Sequence, residues 1–491
     1  MPGSVILAVD QGTTNTKALL VDPGGSILAW ASRPMTLQHP RSGWAEQSAE
    51  SIWTSVSEAI TEVIAQADGR SIRAIAISNQ RETVVVWDAE TGQPIAPAIS
   101  WQCRRSTERC LAMKAAGHEA LLIDRTGLGI DPLFPAAKLA WILDECPGAR
   151  ARAEAGALRA GTVDSWLVWK LTEGAQHATD HGNAARTQLF NIHDLQWDNE
   201  LTGIFNIPLP MLPTIISSDA CFGTISAPEL EAIAGIPIHA VMGDSHAALF
   251  AQGRTELGVA KVTIGTGSSI MSLSQAPVRS ENGLSSTIAW SQAGKPRYAL
   301  EGNITVSGQA AAFVTKLLGL PDELALSALA QTVEDAAGVV FVPALAGLGA
   351  PHWKPEARGL ISGMSNGTEP AHIARATLDA IAMQIVDVCR AMEADLATSL
   401  PMISVDGGAT RNAFLLQLLA DLLDCPVRRP GYAELSALGV ARMAAEALGI
   451  FEEDTPRDDD ETFFMPAMSA AERKRIQLAW ADAVRRATFT N

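Results

Sequence analysis

Short apolar runs alternate with polar turns along the first hundred residues, and their spacing predicts strands interleaved with a helix. Four runs have the length and composition of strands: Val5–Val9, Ala18–Val21, Ile72–Ser78 and Thr83–Trp87. Between them, Ala49–Ala65 carries apolar residues at helical spacing along one face, which predicts an amphipathic helix. This alternation favours a layered α/β architecture.

The turn between the first two runs has the composition of a phosphate site. The first run ends in Asp10, and Gly12, Thr13 and Thr14 follow before the second run begins. Clustered backbone N–H groups and hydroxyls in such a turn suit phosphate oxygens. Asp10 stands where a carboxylate could hold a divalent cation beside them. The pattern therefore predicts a site for a nucleotide phosphate.

The same pattern recurs half a chain later. The run Val259–Ile264 is followed by Gly265-Thr266-Gly267 and then by a second run, Ile270–Leu273. The repeat predicts two domains of related fold that face a common cleft, joined by a link near Ala247–Gly258. Two such hairpins can also arise independently, and the pattern alone leaves that alternative open.

A third glycine-rich loop follows a strand in the last quarter of the chain. The strand ends in Asp406-Gly407-Gly408, and an amphipathic helix is expected at Ala413–Leu423. Tandem glycines allow a backbone to approach a flat ligand closely, and a helix N-terminus adds free N–H groups. A Gly-Gly pair also often marks only a turn. Residues 432–448 predict a further helix.

Composition and charge narrow the class of protein. The chain has 491 residues, 47% hydrophobic and 19% charged, which fits two large globular domains. A net charge of −17 disfavours nucleic acid or an anionic membrane as partner, although a local pocket could still bind an anionic cofactor. The six cysteines form no C-x-x-C pair, and neither a signal peptide nor a membrane span is apparent. We expect a cytoplasmic protein with reduced thiols, and leave open whether it forms a homo-oligomer.

A series of short motifs then lies in order along most of the chain: Asp10-Gln-Gly-Thr-Thr14, Gly43-Trp-Ala-Glu-Gln47, Asn79-Gln-Arg-Glu-Thr83, Trp101-Gln-Cys-Arg-Arg105, Asp164–Leu171, Thr179–Thr187, Gly265-Thr-Gly267, Gly347–Trp353, Ala357-Arg-Gly359 and Asp406-Gly-Gly-Ala409. In this order they resemble the FGGY carbohydrate kinases, and within that family the glycerol kinase branch. The resemblance implies an α/β fold of two ribonuclease-H-like domains, as in actin-like ATPases, that flank a nucleotide cleft. It implies an N-terminal domain at 1–246, for the acceptor and the first phosphate loop, and a nucleotide-binding C-terminal domain at 247–491.

The resemblance also implies a reaction and its cofactors. ATP would phosphorylate a hydroxyl of a small polyol, glycerol or a related sugar alcohol, with Mg2+ at the phosphates. Asp244 would be the general base that accepts the hydroxyl proton, and Asp10 the magnesium-associated acid. Without the family resemblance, Asp244 is equally well explained as an ordinary acidic residue in a turn or as the N-cap of a helix. Asp10 could then simply be a turn-forming residue.

The nucleotide side is implied to comprise Gly12, Thr13, Thr14, Lys17, Gly265, Thr266, Gly267, Gly308, Gly408 and Asn412. Lys17 stands where glycerol kinases carry an arginine. A lysine keeps the positive charge but lacks the bidentate fork. This lysine could equally be an exposed strand end.

The residues implied to bind the acceptor match the glycerol kinase pattern at some positions and differ from it at others. Arg81, Glu82 and Trp101 match the family's polyol contacts, and Asp244 belongs to the same group. Three further positions differ from glycerol kinases: Leu133 replaces a tyrosine, Ser245 a glutamine and Ser269 a phenylalanine. His246 follows Ser245, and we expect it to shape the pocket rather than to act in catalysis.

These departures lead to a hypothesis about the acceptor. Replacing a phenylalanine and a glutamine by serines should enlarge the pocket and move its polar groups, which favours a polyol longer or differently branched than glycerol. Bridging water or rotated neighbours could instead preserve glycerol binding. A ketose or pentose kinase of the same family is the alternative enzyme, and a non-catalytic actin-like ATP sensor is the alternative from another class.

Overall fold

The computed structural model describes residues 3–253, 258–431, 434–451 and 461–489. The molecule has two halves, each built on a large β-sheet with its own hydrophobic core. The strands of the first half are β1 (Ser4–Gln11), β2 (Asn15–Val21), β3 (Ile27–Pro34), β4 (Glu46–Gln47), β5 (Ser71–Asn79), β6 (Val84–Asp88), β7 (Ala98–Ile99), β8 (Leu158–Thr162), β9 (Ala178–Asp180), β10 (Phe190–Asn191), β11 (Gln196–Trp197), β12 (Thr214–Ile216), β13 (Cys221–Thr224) and β14 (Pro237–Gly243). Its helices are α1 (Ala49–Ile64), α2 (Thr107–Ala115), α3 (Glu119–Thr126), α4 (Pro135–Glu145), α5 (Ala149–Glu154), α6 (Val163–Leu171), α7 (His181–Ala184) and α8 (Asn199–Phe205), with 3-10 turns at Leu209–Met211 and Pro228–Ile233.

The second half begins with a helix. Its helices are α9 (Asp244–Gly253), α10 (Gly308–Leu317), α11 (Glu323–Ala330), α12 (Pro370–Leu396), α13 (Ala413–Leu423), α14 (Leu435–Ala447) and α15 (Ala470–Thr488), with a 3-10 turn at Gly408–Arg411. Its strands are β15 (Ala260–Ile264), β16 (Ser268–Ser274), β17 (Ser285–Gln292), β18 (Lys295–Ile304), β19 (Val340–Val342), β20 (Leu360–Ser362), β21 (Ile403–Asp406), β22 (Val427–Arg429) and β23 (Thr462–Phe464).

The two large sheets share one topology. In the first, β2 pairs antiparallel with both β1 and β3, and β5 and β14 continue the sheet in parallel from β1. In the second, β15, β16 and β18 are antiparallel, and β21 and β22 continue in parallel from β15. The repeat predicted from the two Gly/Thr hairpins is therefore present, and the α/β fold of two ribonuclease-H-like units is confirmed.

Most of the predicted elements are found close to their predicted bounds. Helix α1 ends one residue before the prediction, and the Ser48 hydroxyl caps it by accepting a hydrogen bond from the Ser51 N–H over 3.1 Å. Helix α13 has the predicted bounds. The predicted helix at 432–448 is α14, which starts at Leu435, while residues 432–433 lie outside the described part of the chain.

The first part of the link predicted near residues 247–258 is helical, because residues 247–253 lie in helix α9. Side chains of α9 and α14, including Phe250 and Met443, pack between the two sheets in one buried cluster with Ile6 and Trp290. The layer that covers this face of the first sheet thus comes from chain beyond residue 246. The division into 1–246 and 247–491 stays a prediction.

The halves also meet along β17. The Ser218 N–H donates to the Ser291 hydroxyl and the Ser291 N–H donates to the Ser218 hydroxyl, each over 3.0 Å. The Ser286 N–H donates to the carbonyl of Gly127 over 2.9 Å. Over the described residues, no helix combines the length and the apolar composition needed to cross a bilayer.

Candidate active site

Asp10 lies at the end of β1, directly opposite Lys17 in the hairpin register. Its Oδ1 accepts a hydrogen bond from the Ser78 hydroxyl over 2.8 Å. Burial raises the pKa of Asp10 to about 7, against the effect of Ser78, and the nearby carboxylates of Asp244 and Glu434 raise it further. The hairpin that predicted a phosphate site thus lies beside two acids from distant parts of the sequence.

Lys17 forms an ion pair with Glu434, a residue that the sequence analysis did not single out. Its Nζ donates to both carboxylate oxygens of Glu434 over 2.7 Å, and Glu434 directly precedes helix α14. This ion pair joins β2 to α14. Lys17 is therefore near the predicted phosphate loop, but in this structure its charge is compensated by protein.

The two glycine turns have backbone geometry that excludes side chains. The Gly12 N–H donates to the carbonyl of Asn15 over 2.9 Å, and the Gly265 N–H donates to that of Gly267 over 2.9 Å. A Cβ on Gly267 would lie 2.4 Å from the Ile304 carbonyl oxygen, and one on Gly308 would lie 2.6 Å from that of Gly265. The Gly308 N–H donates to the Gly265 carbonyl over 2.9 Å, so the second turn and the start of α10 are in contact.

The third predicted nucleotide segment is less constrained. Gly408 begins the 3-10 turn after β21, and a Cβ added there would meet nothing within 4 Å. Asn412 is the N-cap of α13, where its side chain accepts a hydrogen bond from the Leu415 N–H over 3.1 Å. Its amide N–H groups stay available to a ligand.

Arg81 is at the centre of the predicted acceptor site. Its Nη2 donates to Oε1 of Glu301 over 2.6 Å, and its Nη1 donates to Nε2 of His246 over 3.2 Å. Its Nε lies 3.6 Å from Oδ1 of Asp244. The predicted acceptor-binding arginine and the predicted base are therefore neighbours.

Glu82 follows Arg81 in a backbone conformation with φ +60°, which is rare for a residue with a side chain. Two buried cations hold it there. The Arg186 Nε donates to Oε1 of Glu82 over 2.6 Å, and the Lys138 Nζ donates to the Glu82 carbonyl over 3.0 Å and to that of Leu133 over 2.7 Å. Burial lowers the pKa of Lys138 to about 7.

Asp244 is the first residue of α9. Its place at the start of a helix does not prevent it from also being the predicted general base. The Ser245 N–H donates to its Oδ1 over 2.6 Å, and the Ser436 hydroxyl donates to its carbonyl over 3.0 Å. Its side chain is 37% exposed. Burial raises the pKa of Asp244, and Arg81 acts in the opposite direction. A carboxylate that is partly desolvated yet reachable can accept a proton from a bound hydroxyl.

Trp101 connects the predicted acceptor and phosphate groups. Its indole Nε1 donates to the Thr13 hydroxyl over 3.0 Å, and its backbone N–H donates to the Thr83 hydroxyl over 3.2 Å. The amide of Gln47 adds a hydrogen bond to the carbonyl of Thr13 over 2.9 Å. The exposed Thr14 follows in the same turn.

The departures from glycerol kinases have defined surroundings. Leu133 lies in the loop before α4, where its N–H donates to Oδ1 of Asp131 over 2.8 Å. The hydroxyl of Ser269 donates to Oε1 of Glu301 over 3.0 Å. His246 is buried against Arg81, and burial together with that cation lowers the pKa of its imidazole well below the usual value. The expectation that His246 shapes the site agrees with this contact, which a single sequence does not reveal.

The residues near Asp10 fit a shared magnesium site rather than an all-protein one. Within the described ranges, no group of three or more His, Cys, Asp or Glu side chains is arranged to hold a metal ion. Asp10 supplies one carboxylate in an acidic neighbourhood, beside the turn of Thr13 and Thr14. Mg2+ is commonly bound by one or two carboxylates together with substrate phosphates.

Sequence reasoning missed five residues that the structure brings to the site: Ser78, Lys138, Arg186, Glu301 and Glu434. Arg186 lies inside the Thr179–Thr187 motif and could have been singled out there. Glu301 had a weaker signal, an acid within the apolar run of β18. The others depend on contacts between distant segments.

Comparison with known proteins agrees with this geometry. The N-terminal domain of the FGGY family of carbohydrate kinases matches residues 5–251, and the C-terminal domain matches residues 260–448. An apulose kinase of Pectobacterium atrosepticum is 48% identical over 91% of this chain and 90% of its own length. A glycerol kinase of Chromobacterium violaceum is 46% identical over 99% of this chain and 98% of its own length. The crystal structure of Plasmodium falciparum glycerol kinase with ADP superimposes with a TM-score of 0.93 at 32% identity, covering 99% of both chains.

The two matched domains and the two Gly/Thr hairpins define a kinase of the actin-like ATPase fold. The chain belongs to the FGGY family of carbohydrate kinases. It is thus an enzyme that phosphorylates a sugar or polyol, in a family that uses ATP.

Proposed function

We propose that this kinase transfers the γ-phosphoryl group of ATP to a hydroxyl of an acceptor larger than glycerol, with Asp244 as the general base. The observation that carries the proposal is the convergence of Asp10, Asp244 and Arg81. Asp244 lies near enough to Asp10 to raise its pKa, and 3.6 Å from Arg81. Phosphoryl transfer requires this kind of assembly, since catalysis rests on positioning and on compensating charge.

In the proposed reaction, the acceptor oxygen forms a bond to the γ-phosphorus while the bond to the β–γ bridging oxygen breaks and ADP leaves. The Asp244 carboxylate accepts the proton of the attacking hydroxyl. Arg81 and Glu82 bind neighbouring hydroxyls, and Trp101 supplies an apolar wall. The turns around Thr13 and Thr266 bind the phosphates. Mg2+, held by Asp10 and those phosphates, would neutralise phosphate charge when bound.

The acceptor is the open part of the proposal. Ser269 occupies a position of phenylalanine in glycerol kinases, and its hydroxyl is turned to Glu301. The smaller side chain supports a longer or more branched polyol or a ketose. The similarity to an apulose kinase makes apulose one acceptor to test, and the similarity to glycerol kinases makes glycerol the other.

The test is a comparison of kcat/KM across a panel of glycerol, tetritols, pentitols and ketoses, including apulose, by coupled detection of ADP. We expect the highest value for an acceptor larger than glycerol. A clear preference for glycerol would end this part of the proposal.

The role of Asp244 is tested with Asp244→Asn, which keeps the size of the side chain and removes its basicity. We expect kcat to fall by roughly a hundredfold or more, with little change in ATP affinity. Retention of wild-type kcat would refute the base assignment.

A further inference from the structure

The guanidinium of Arg81, which belongs to the first half of the molecule, is held on three sides by residues of the second half. Glu301 accepts from Nη2 over 2.6 Å, His246 accepts from Nη1 over 3.2 Å, and Asp244 faces Nε at 3.6 Å. A guanidinium has five N–H donors in one rigid plane. Fixing three of its directions fixes the plane and leaves the remaining donors for a bound hydroxyl.

Glu301 bridges two arginines of the opposite half. It lies on β18 of the second sheet, while Arg81 follows β5 and Arg186 follows α7 in the first half. Its Oε1 is 2.6 Å from Nη2 of Arg81, and its Oε2 is 2.7 Å from Nη1 of Arg186. Arg186 in turn donates to Glu82 over 2.6 Å.

These four residues form a balanced unit, because two guanidinium groups face two carboxylates. The side chains of Arg186 and Glu301 are both 0% exposed. Each charge of the unit lies beside an opposite charge, and removing one member leaves another uncompensated. Burial opposes ionisation of Glu301, but Arg186 and Arg81 outweigh it and lower its pKa, so the carboxylate stays charged.

Ser269, which departs from the glycerol kinase sequence, and His246 both contact the same ion pair. Ser269 donates to the Glu301 oxygen that binds Arg81, and His246 accepts from Arg81 itself. Because arginine only donates, Nε2 of His246 must be an unprotonated acceptor. The side chains of Ser269 and His246 therefore both help to set the orientation of the Arg81 guanidinium.

We propose that Glu301 is a positioning residue for the acceptor: it orients Arg81 directly and Glu82 through Arg186, while Ser269 and His246 adjust that orientation. The inference rests on the proposed function, in which Arg81 and Glu82 bind acceptor hydroxyls. A carboxylate of the second half then aligns acceptor-binding side chains of the first half, and acceptor selectivity depends on residues that need not touch the acceptor.

The first test is Glu301→Gln, with steady-state kinetics on the best acceptor of the panel. Glutamine keeps the length of the side chain but turns a donor toward one of the two arginines. We expect kcat/KM for the acceptor to fall by roughly tenfold to a hundredfold, the scale of a hydrogen bond to a charged group, with the KM for ATP unchanged. An equal rise in both KM values, or an unchanged acceptor KM, would overturn the proposal.

A double-mutant cycle separates positioning from general damage. If Glu301 acts in part through Arg81, the variant Arg81→Lys/Glu301→Gln should lose less acceptor kcat/KM than the product of the two single losses. Losses that multiply would show that Glu301 acts elsewhere and would overturn the inference. A wild-type enzyme that turns over no acceptor would instead refute the proposed function, so the two failures are distinguishable.

Asp379→Asn is the matched control, because Asp379 is a carboxylate of the second half paired with Arg375 over 3.0 Å, in helix α12. It should lower the melting temperature without changing the acceptor KM. Ser269→Ala and His246→Gln keep the charges of all four residues in the buried unit. They test the proposal even if Glu301→Gln does not fold. Each should change the ratio of kcat/KM between glycerol and the best acceptor, and an unchanged ratio in both would contradict the proposal.

Discussion

Asp164 is a buried carboxyl group whose surroundings disfavour its charge. Its two oxygens accept hydrogen bonds from the hydroxyls of Thr162, over 2.5 Å, and of Thr179, over 2.6 Å. Burial and the neighbouring Asp180 raise its pKa to about 7. At this scale, single side chains of the first half hold protons that the unfolded chain would release.

This titration gives a signed prediction for Asp164→Asn. Between about pH 4 and 7 the folded protein keeps a proton on Asp164 that the unfolded chain has lost, so stability falls as pH rises through this window. Asparagine cannot titrate, and the slope of unfolding free energy against pH should become less negative, by at most about 1.4 kcal/mol per pH unit. Urea unfolding between pH 4.5 and 8 measures it.

Asp144→Asn is the control for that experiment. Hydrogen bonds from Arg150 and Arg109 outweigh burial and lower the pKa of Asp144, so this carboxylate is ionised in both states above pH 5. Replacing Asp144 should shift the curve of unfolding free energy against pH up or down without changing the slope of that curve. Parallel curves for wild type and Asp164→Asn would contradict the assignment.

At the scale of elements, helices α9 and α14 connect the site to the scaffold. Asp244 starts α9, Glu434 precedes α14, and the Ser436 hydroxyl binds the Asp244 carbonyl. The helices approach so closely that a Cβ on Gly439 would lie 1.9 Å from the Ala247 carbonyl oxygen. The position of the proposed base therefore depends on a glycine in a helix remote in sequence.

We predict that Gly439→Ala lowers both stability and kcat. The methyl group must push α14 away from α9, at a cost of about 1–3 kcal/mol, and that shift moves Asp244. Thermal unfolding and acceptor kinetics measure the two effects.

Gly203→Ala provides the comparison, since Gly203 lies in α8 and a Cβ there meets nothing within 4 Å. It should be neutral or stabilising by about 0.5–1 kcal/mol, because alanine is the better helix former. Similar behaviour of the two variants would refute the close-packing argument.

At the scale of the whole molecule, two regions join the halves: the α9 and α14 layer, and the contact of β17 with the first half. In the second region Ser218 and Ser291 exchange hydrogen bonds over 3.0 Å, and Nδ1 of His181 lies 2.8 Å from the Ser291 hydroxyl. This polar contact is buried, so each lost partner leaves a group without water to replace it.

Ser291→Ala should therefore lower the free energy of unfolding by about 1–3 kcal/mol, because the Ser218 N–H loses its acceptor. Thr287→Val on the same strand removes a buried hydroxyl for which no hydrogen-bond partner is found in the described structure, and should cost less. Denaturant unfolding of both variants measures the difference. Equal costs would show that the hydroxyl contact contributes nothing to the join.

The sequence alone determined the repeated hairpins, because strand alternation and glycine turns are local features with backbone causes, and the ordered motifs determined the family. It also identified Arg81, Glu82, Trp101 and Asp244 as members of one group. The link near Ala247–Gly258 stays a prediction, and no periodic sign in the sequence indicated that helix α9 packs against the first sheet.

Only the tertiary structure decided how those side chains are held. Glu301 and Arg81 are separated by more than two hundred residues, and so are Lys17 and Glu434. Charge pairing across such distances leaves no periodic trace in one sequence, because it depends on which faces of two sheets meet. The fold's identity could be read along the chain, while the electrostatics of the site arise from contact between its halves.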